Sequence, residues 1–344
     1  MNIIHLIFSF KVGGAETMLV NIMNQQVLKH PVNLIIINDL IDQNLLSRID
    51  SRVRVICINR PEGSRNIFHL LKLNYILYQL KPSILHCHVE NVVKVLMPNF
   101  RKIAVLTVHH EIFKDDSNLK YYSKIFSISE TVKNSIKRWA NIDSIVVYNG
   151  VDKKHIKQKQ NYSLDGKFKI LILGRLVHNI KGQHILLEAL TKMDTSNLVV
   201  DIIGEGASEA YLKDLCTKYQ LIHCVNFLGL KGPEYLNDHL RDYDLLIQPS
   251  LFEGFGLTIV EALFAKVPVL VSAIQGPLEV INNGEFGYTF ESENSTDLAS
   301  KLQEVINQYD GMEMHQFSNR AYCNALNLFT IEKCSDDYIE NYIK

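Results

Sequence analysis

The stretch Tyr243 to Ile281, YDLLIQPSLFEGFGLTIVEALFAKVPVLVSAIQGPLEVI, constrains the fold more than any other part of the chain. It reads as an apolar strand over 245–248, a Pro-Ser break, and a turn carrying Gly254 and Gly256. A helix over 257–265 and a second apolar strand over 267–272 follow. Such a strand-turn-helix-strand unit belongs to a parallel sheet, with the turn opening a helix at the carboxyl edge. The first amides of that helix lack internal partners and lie at its positive dipole end, so they attract phosphate. Two carboxylates flank the turn, Glu253 before the helix and Glu261 one turn into it. That arrangement suits a ligand with hydroxyls on both sides of a diphosphate, as in a sugar nucleotide. Taken singly, a glycine-containing βα turn is common in α/β proteins, and Glu261 also reads as a solvated helix residue.

The chain starts twice. An apolar strand over 2–10 ends in Lys11-Val-Gly13-Gly14-Ala-Glu16 and a helical pattern over 16–27. A second apolar strand, over 168–173, ends in Gly174-Arg175, with a helical pattern over 183–192. Further strands are expected near 32–37, 53–58, 84–87, 104–108, 125–128 and 144–148, then near 199–203, 225–228, 245–248 and 267–272. Short apolar strands alternating with amphipathic helices predict parallel sheets covered on both faces. The expected architecture is α/β: two doubly wound domains over 1–155 and 166–329, joined by a polar link over 152–166. Their active cleft is expected between them, at the carboxyl ends of both sheets.

With 344 residues, 47% hydrophobic and 21% charged, the chain can build two full cores. No apolar run approaches the ~18–20 residues that span a bilayer. The opening MNIIHLIFSF lacks a basic leader and a cleavage site, so it reads as a strand. The six cysteines form no CxxC pair and read as reduced thiols, which predicts a cytoplasmic protein. Charge is unevenly spread. Residues 1–150 carry 18 Lys and Arg against 11 Asp and Glu, and residues 151–344 carry 18 against 26. A basic first half suits an anionic partner such as a lipid-diphosphate carrier or the inner face of a membrane. Residues 60–81 contain an amphipathic helix with basic and aromatic members. It fits a membrane surface, and equally an ordinary surface helix whose Leu and Ile residues face the sheet. Nucleic acid is not among the expected partners.

The motif Glu253-Gly-Phe-Gly-Leu257, followed by Glu261-Ala262, resembles the signature of the family-4 retaining glycosyltransferases, which have the GT-B fold. The resemblance implies metal-independent transfer of a hexosyl or N-acetylhexosaminyl group from a UDP- or GDP-linked sugar to a hydroxyl. It implies front-face displacement, and a last helix over 330–344 that packs back on the first domain. The implied acceptor is a lipid-linked glycan of a bacterial capsule, O-antigen or exopolysaccharide. Arg175 and Lys181 match the family's Gly-Arg-Leu and Lys-Gly segment and are expected on the leaving diphosphate with the amides of Phe255, Gly256 and Leu257. Fixed cations there stabilise the charge that develops as the sugar bond breaks. Glu253 is implied on the hydroxyls of the transferred sugar and Glu261 on the ribose. His109, in Thr107-Val-His109-His110, matches the family's Thr-x-His and is implied beside the transferred sugar. Gly204 and Gly229 are expected to frame the base, Gly13 and Gly14 to approach the diphosphate, and Glu16 to touch the acceptor or cap its helix.

The chain departs from the family in three places. Several members have one residue fewer between the Arg and the Lys, and Lys266 and Pro277 stand where glycine is common. His86-Cys87-His88 invites a metal reading, since alternate strand residues point one way, with His109 and His110 as further ligands. No DxD-type acidic pair accompanies it, and neither a metal nor another cofactor is expected. One rival is a nucleotide-sugar epimerase or other non-transferase enzyme on the same architecture, of which an epimerase would consume donor without acceptor; the other is a non-catalytic sugar-nucleotide-binding protein, which would bind nucleotide without turnover.

Overall fold

The structure, a computed structural model, describes residues 1–11, 13–113, 116–164, 166–309 and 311–343. The chain divides into two compact units, Met1–Val151 with Phe329–Lys344, and Asp152–Leu328.

The first unit holds a parallel sheet of strands β1 (Ile3–Ile7), β2 (Val32–Asn38), β3 (Arg54–Arg60), β4 (Ile84–Cys87), β5 (Ala104–Val108), β6 (Lys124–Ser127) and β7 (Ile145–Val146). Their order in the sheet is β3-β2-β1-β4-β5-β6-β7. β1 and β2 are buried along their whole length, as continuous apolar runs in a parallel sheet covered on both faces must be. Leu19, Val20 and Met23 of the helix Gly14–Gln26 pack over Leu34 and Ile36. The strand expected over 144–148 shrinks to β7, at the sheet edge, where few neighbours extend the ladder.

The second unit repeats the plan with β8 (Phe168–Leu173), β9 (Leu198–Ile203), β10 (Val225–Gly229), β11 (Leu245–Gln248), β12 (Val269–Ser272) and β13 (Tyr288–Phe290), ordered β10-β9-β8-β11-β12-β13. β13 was not among the expected strands. It has only three residues, preceded by Gly287, so it carries little periodicity of its own. Ile170, Leu186, Val200, Leu245, Leu298 and Leu302 form the centre of the core.

In both sheets the strand order reverses beside the first strand, between β1 and β4 and between β8 and β11. Connections diverge to opposite faces at such a point and leave a crevice at the carboxyl ends, where doubly wound sheets take ligands.

Two segments differ from expectation. The polar link does not run free: Lys159 donates to Asp244 at 2.8 Å, both buried, and the Tyr162 hydroxyl donates to the Lys266 carbonyl at 2.7 Å. A buried lysine needs a carboxylate partner, and Asp244 meets that need beside the Tyr309 hydroxyl, which donates to it at 3.1 Å. The helix within 60–81 runs Ile67–Leu80 and is apolar on two faces. Leu73 and Leu77 are buried, whereas Ile67, Phe68, Leu71, Tyr75 and Tyr78 are exposed. The last helix, Ile331–Ile343, belongs to the first unit, where Tyr338 and Tyr342 are buried and Lys29 pairs with Asp336 at 2.6 Å.

Candidate functional site

The loops after β8 and β11 lie side by side in the second unit. Leu251 and Phe252 both donate backbone N–H to the Ile180 carbonyl, at 2.8 and 3.2 Å. Gly182 has φ +64, and a Cβ there would overlap the Pro249 carbonyl oxygen, so only glycine lets the two loops close. Lys181 therefore does not sit in an open loop, as its sequence context suggests, but ends the short helix His178–Lys181. Its Nζ lies 2.5 Å from Glu253 Oε2, with both side chains about four-fifths buried (23% and 18% exposed).

Gln248 completes this group. Its amide Nε2 donates to the same Glu253 oxygen at 2.9 Å, while its Oε1 accepts from the Thr258 hydroxyl at 2.9 Å. The carboxylate is thus held from two sides, by an ammonium and by an amide that is itself anchored on the next helix. Gln248 was not among the expected residues. The legible signal was a polar side chain ending an apolar buried strand, which must find a partner when folded.

The helix Leu257–Phe264 begins beside this cluster. Gly256 caps it at φ +108, left-handed backbone that favours glycine. Phe255 is buried and Leu257 half-buried. The amides of Leu257 and Thr258 have no backbone acceptor among the described residues. They remain available to an anion at the helix's positive end. Glu261, one turn on, is mostly buried without a bonded partner among the described residues, and desolvation pushes its carboxyl up to about 7.

Arg175 follows β8 and is exposed, its guanidinium taking no partner among the described residues. Its carbonyl accepts from Gln183 Nε2 at 2.8 Å, which fixes the backbone while leaving the side chain free to reach. Gly204 donates to the Gly229 carbonyl at 3.0 Å and Gly174 donates to Ile203 at 3.0 Å, so the turns after β8, β9 and β10 form one backbone layer. The structure thus brings Lys181, Glu253, Gly256, Leu257, Gly204 and Gly229 to one edge of one sheet, and leaves Arg175 at its rim.

The first unit presents a different chemistry. His109 follows β5; its Nε2 is buried with no hydrogen-bond partner among the described residues, and desolvation with neighbouring His110 holds its pKa down to about 4. His110 is exposed, 3.9 Å from Glu90. Gly13 is extended (φ −166) and Gly14 opens the helix Gly14–Gln26. Neither occupies the left-handed region, so their value is the small size of the turn. Glu16 lies in that helix's first turn; the adjacent Val12 lies outside the described residues.

The metal reading of His86 and His88 meets a third histidine that the sequence concealed. His5, His86 and His88 place one ring nitrogen each within 4.8 Å of one another, all buried. Both nitrogens of His5 and both of His86 are occupied by hydrogen bonds, to His88 and Gln26 and to Tyr342 and Thr107. His109 approaches this group only through its ring, 5.9 Å from that of His88.

Comparison with known proteins identifies the family and the fold. The profile of the glycosyl transferases group 1 matches residues 153–323, and that of glycosyltransferase family 4 matches residues 12–155. An uncharacterized glycosyltransferase of Methanocaldococcus jannaschii is 26% identical over 302 residues, covering 78% of this chain and 81% of the relative. The poly(ribitol-phosphate) alpha-N-acetylglucosaminyltransferase of Staphylococcus aureus is 23% identical over 304 residues, covering 83% and 60%. Among solved structures, Anabaena HepE in complex with UDP and glucose superposes with a TM-score of 0.81 at 21% identity, over 99% of both chains.

Proposed function

Taking as premise that the chain belongs to the group 1, family 4 glycosyltransferases, with their GT-B fold, we propose that it moves a sugar from a nucleoside-diphosphate donor to a hydroxyl acceptor with retention of configuration. The observation that carries this reading is the Lys181–Glu253 pair, closed at 2.5 Å against the start of the helix Leu257–Phe264. An ammonium and helix amides without a backbone acceptor lie at one sheet edge, with an exposed guanidinium at its rim, and together they suit a leaving diphosphate that gains charge. No step of that electrostatic task requires a metal ion. Glu253, fixed by Lys181 and Gln248, offers its second oxygen to sugar hydroxyls, and Glu261 offers a carboxylate to the ribose. His109 is assigned to the transferred sugar on the family resemblance, since an uncharged imidazole can exchange hydrogen bonds with a hydroxyl without adding charge.

The donor is proposed as UDP- or GDP-linked, a choice supported by the UDP and glucose in the HepE complex and by the N-acetylglucosaminyl transfer named for the Staphylococcus aureus relative. The acceptor is proposed as a lipid-linked glycan met at the inner membrane face. The exposed face of Ile67, Phe68, Leu71, Tyr75 and Tyr78, flanked by Arg65 and Lys72, supports that contact. No helix among the described residues is long and apolar enough to cross a membrane.

The test is a thermal-shift series with UDP, GDP, ADP and CMP, each with and without magnesium. A ligand at ~100 times its Kd stabilises by about 2.7 kcal/mol. One nucleoside diphosphate raising Tm equally with and without magnesium is the expected outcome. No shift with any of them overturns the donor site, and a shift that needs magnesium overturns metal-independence.

A further inference from the structure

Six hydrogen bonds run through the interior of the first unit in one direction. The His5 Nε2–H donates to Gln26 Oε1 at 2.7 Å, which leaves His5 Nδ1 as an acceptor for the His88 Nε2–H at 2.9 Å. From the other side of the amide, Gln26 Nε2 donates to the Tyr342 hydroxyl at 3.4 Å, and Tyr342 donates to His86 Nδ1 at 2.6 Å. The His86 Nε2–H then donates to Thr107 Oγ1 at 2.7 Å, and Thr107 donates to the Tyr338 hydroxyl at 3.0 Å. Each link fixes the next, because a neutral imidazole that donates at one nitrogen must accept at the other. Gln26 sets the direction for both arms, and the last helix, Ile331–Ile343, closes the chain through its two tyrosines.

The chain ends at His88 Nδ1, which is buried and has no partner among the described residues. With the order above it carries a lone pair. The opposite order would leave an N–H buried and unpaired, the costlier arrangement. The His88 ring is stacked with His86, at 4.4 Å and 26°, with His5, at 5.2 Å and 29°, and with His109, at 5.9 Å and 25°. His88 is thus the one member of the chain in ring contact with the histidine assigned to the transferred sugar.

We propose that His88 is a positioning residue for the transfer reaction: the one-way chain from Gln26 locks it as the Nε2–H tautomer and so fixes the ring face against which His109 is set. The inference rests on the transferase reading, because it concerns how His109 is presented. Burial holds His5 and His109 at about 4 and His88 well below its ordinary range, so none of these rings adds a charge near neutrality. A metal reading of the same cluster would require His5 and His86 each to give up a hydrogen bond, since His88 Nδ1 is the only open nitrogen of the three.

The decisive variant is Gln26→Glu, which keeps the shape and changes the polarity. A carboxylate accepts from both His5 and Tyr342, and beside it His5 gains a proton and donates from Nδ1. His88 Nε2 must then accept, and its proton moves to Nδ1. The readouts are imidazole ¹⁵N chemical shifts of the labelled protein, and hydrolysis of whichever of UDP-glucose, UDP-N-acetylglucosamine and GDP-mannose the wild type turns over fastest. We expect Nε2–H at His88 in the wild type and Nδ1–H in Gln26→Glu, with kcat down about 10-fold and KM within two-fold. A wild type with Nδ1–H at His88 overturns the lock, whatever it hydrolyses. A flipped tautomer with unchanged kcat overturns the positioning role. Should Gln26→Glu fail to fold, Tyr342→Phe frees one side of the amide; mixed His88 tautomers support the lock, and a single Nε2–H form with full turnover overturns it. Hydrolysis of none of the three sugars with nucleotide still bound counts against the transfer reading and the positioning role together, while the tautomer signals decide the lock on their own.

Discussion

At the carboxyl edge of the second sheet charge is kept, and at the carboxyl edge of the first it is removed. Lys181, Glu253 and Gln248 hold an ion pair about four-fifths buried beside open helix amides, with Arg175 exposed at the rim. In the first unit four histidines lie ring against ring and the interior excludes their charged forms. Both edges occupy the same topological position, the reversal beside the first strand. Topology therefore puts a crevice at the same place in both sheets, and side chains alone decide whether that edge offers charge or neutral hydrogen-bonding groups.

The largest expected effect breaks the charged edge. Lys181→Ala and Glu253→Ala should each lower turnover by about 10²-fold or more, the scale of losing one preorganised electrostatic contact. Lys181→Ala also leaves Glu253 with Gln248 as its remaining bonded partner of the two, so nucleotide affinity should fall with it. Steady-state kinetics decide the matter, and near-normal turnover in either variant would remove that residue from the site.

Acid should separate the two units by the sign of their response. His5 has a folded pKa of about 4 against 6.5 unfolded, so its neutral form contributes stability above pH 6.5 that is lost as pH falls towards 4, on the order of 3 kcal/mol. Glu261 works the other way. Its folded value of about 7 exceeds 4.5, so its burial costs stability as pH rises from 4.5 to 7, and acid relieves that cost. Hydrogen exchange between pH 7 and 5 should show amides of β1, β4 and β5 losing protection before those of β11 and β12. The reverse order would mean that the histidine cluster is not the acid-sensitive element.

The same carboxyl should be visible in binding. On the proposed reading an ionised Glu261 accepts ribose hydroxyls, so the Kd for the cognate nucleoside diphosphate should fall about 10-fold from pH 6 to 8, as the fraction ionised rises across a pKa near 7. Glu261→Gln should flatten that dependence. Calorimetry at the two pH values settles it, and a wild type without the trend would place the ribose elsewhere.

These two edges were not equally legible. The charged edge was readable because its residues cluster in two short segments, 173–182 and 253–261, whose glycines and acids are spaced by local turn geometry. What escaped there was the direct Lys181–Glu253 contact and the bridge by Gln248, since pairing across 72 residues depends on how two loops close over Gly182. The neutral edge was barely readable. His5, Gln26, His86, Thr107, Tyr338 and Tyr342 span nearly the whole chain, and each alone reads as an ordinary core or strand residue. Similarly, Lys159 in a polar link gave no sign that Asp244 would bury it, and β13 was too short to show a period.

The smallest effect concerns the outer face of the first unit, where the neutral interior gives way to basic and apolar side chains. The helix Ile67–Leu80 buries Leu73 and Leu77 yet leaves Phe68 72% and Tyr78 71% exposed. One side anchors the helix to its sheet, so the other is surplus to folding, and the proposed anionic bilayer would be met by that face with Arg65 beside it. A basic residue near such a surface is worth about 1 kcal/mol, roughly a 5-fold change in partitioning. Arg65→Ser and Phe68→Ser should each reduce binding to phosphatidylglycerol-containing vesicles by about that factor in a sedimentation assay. Melting temperature and nucleotide affinity should stay the same, because neither side chain is buried and both follow β3, the edge strand of the first sheet, away from the reversal beside β1. Equal binding by the variants, or binding indifferent to salt, would mean that the apolar face serves another surface. The basic charge of the first unit would then belong to its substrate and not to a membrane.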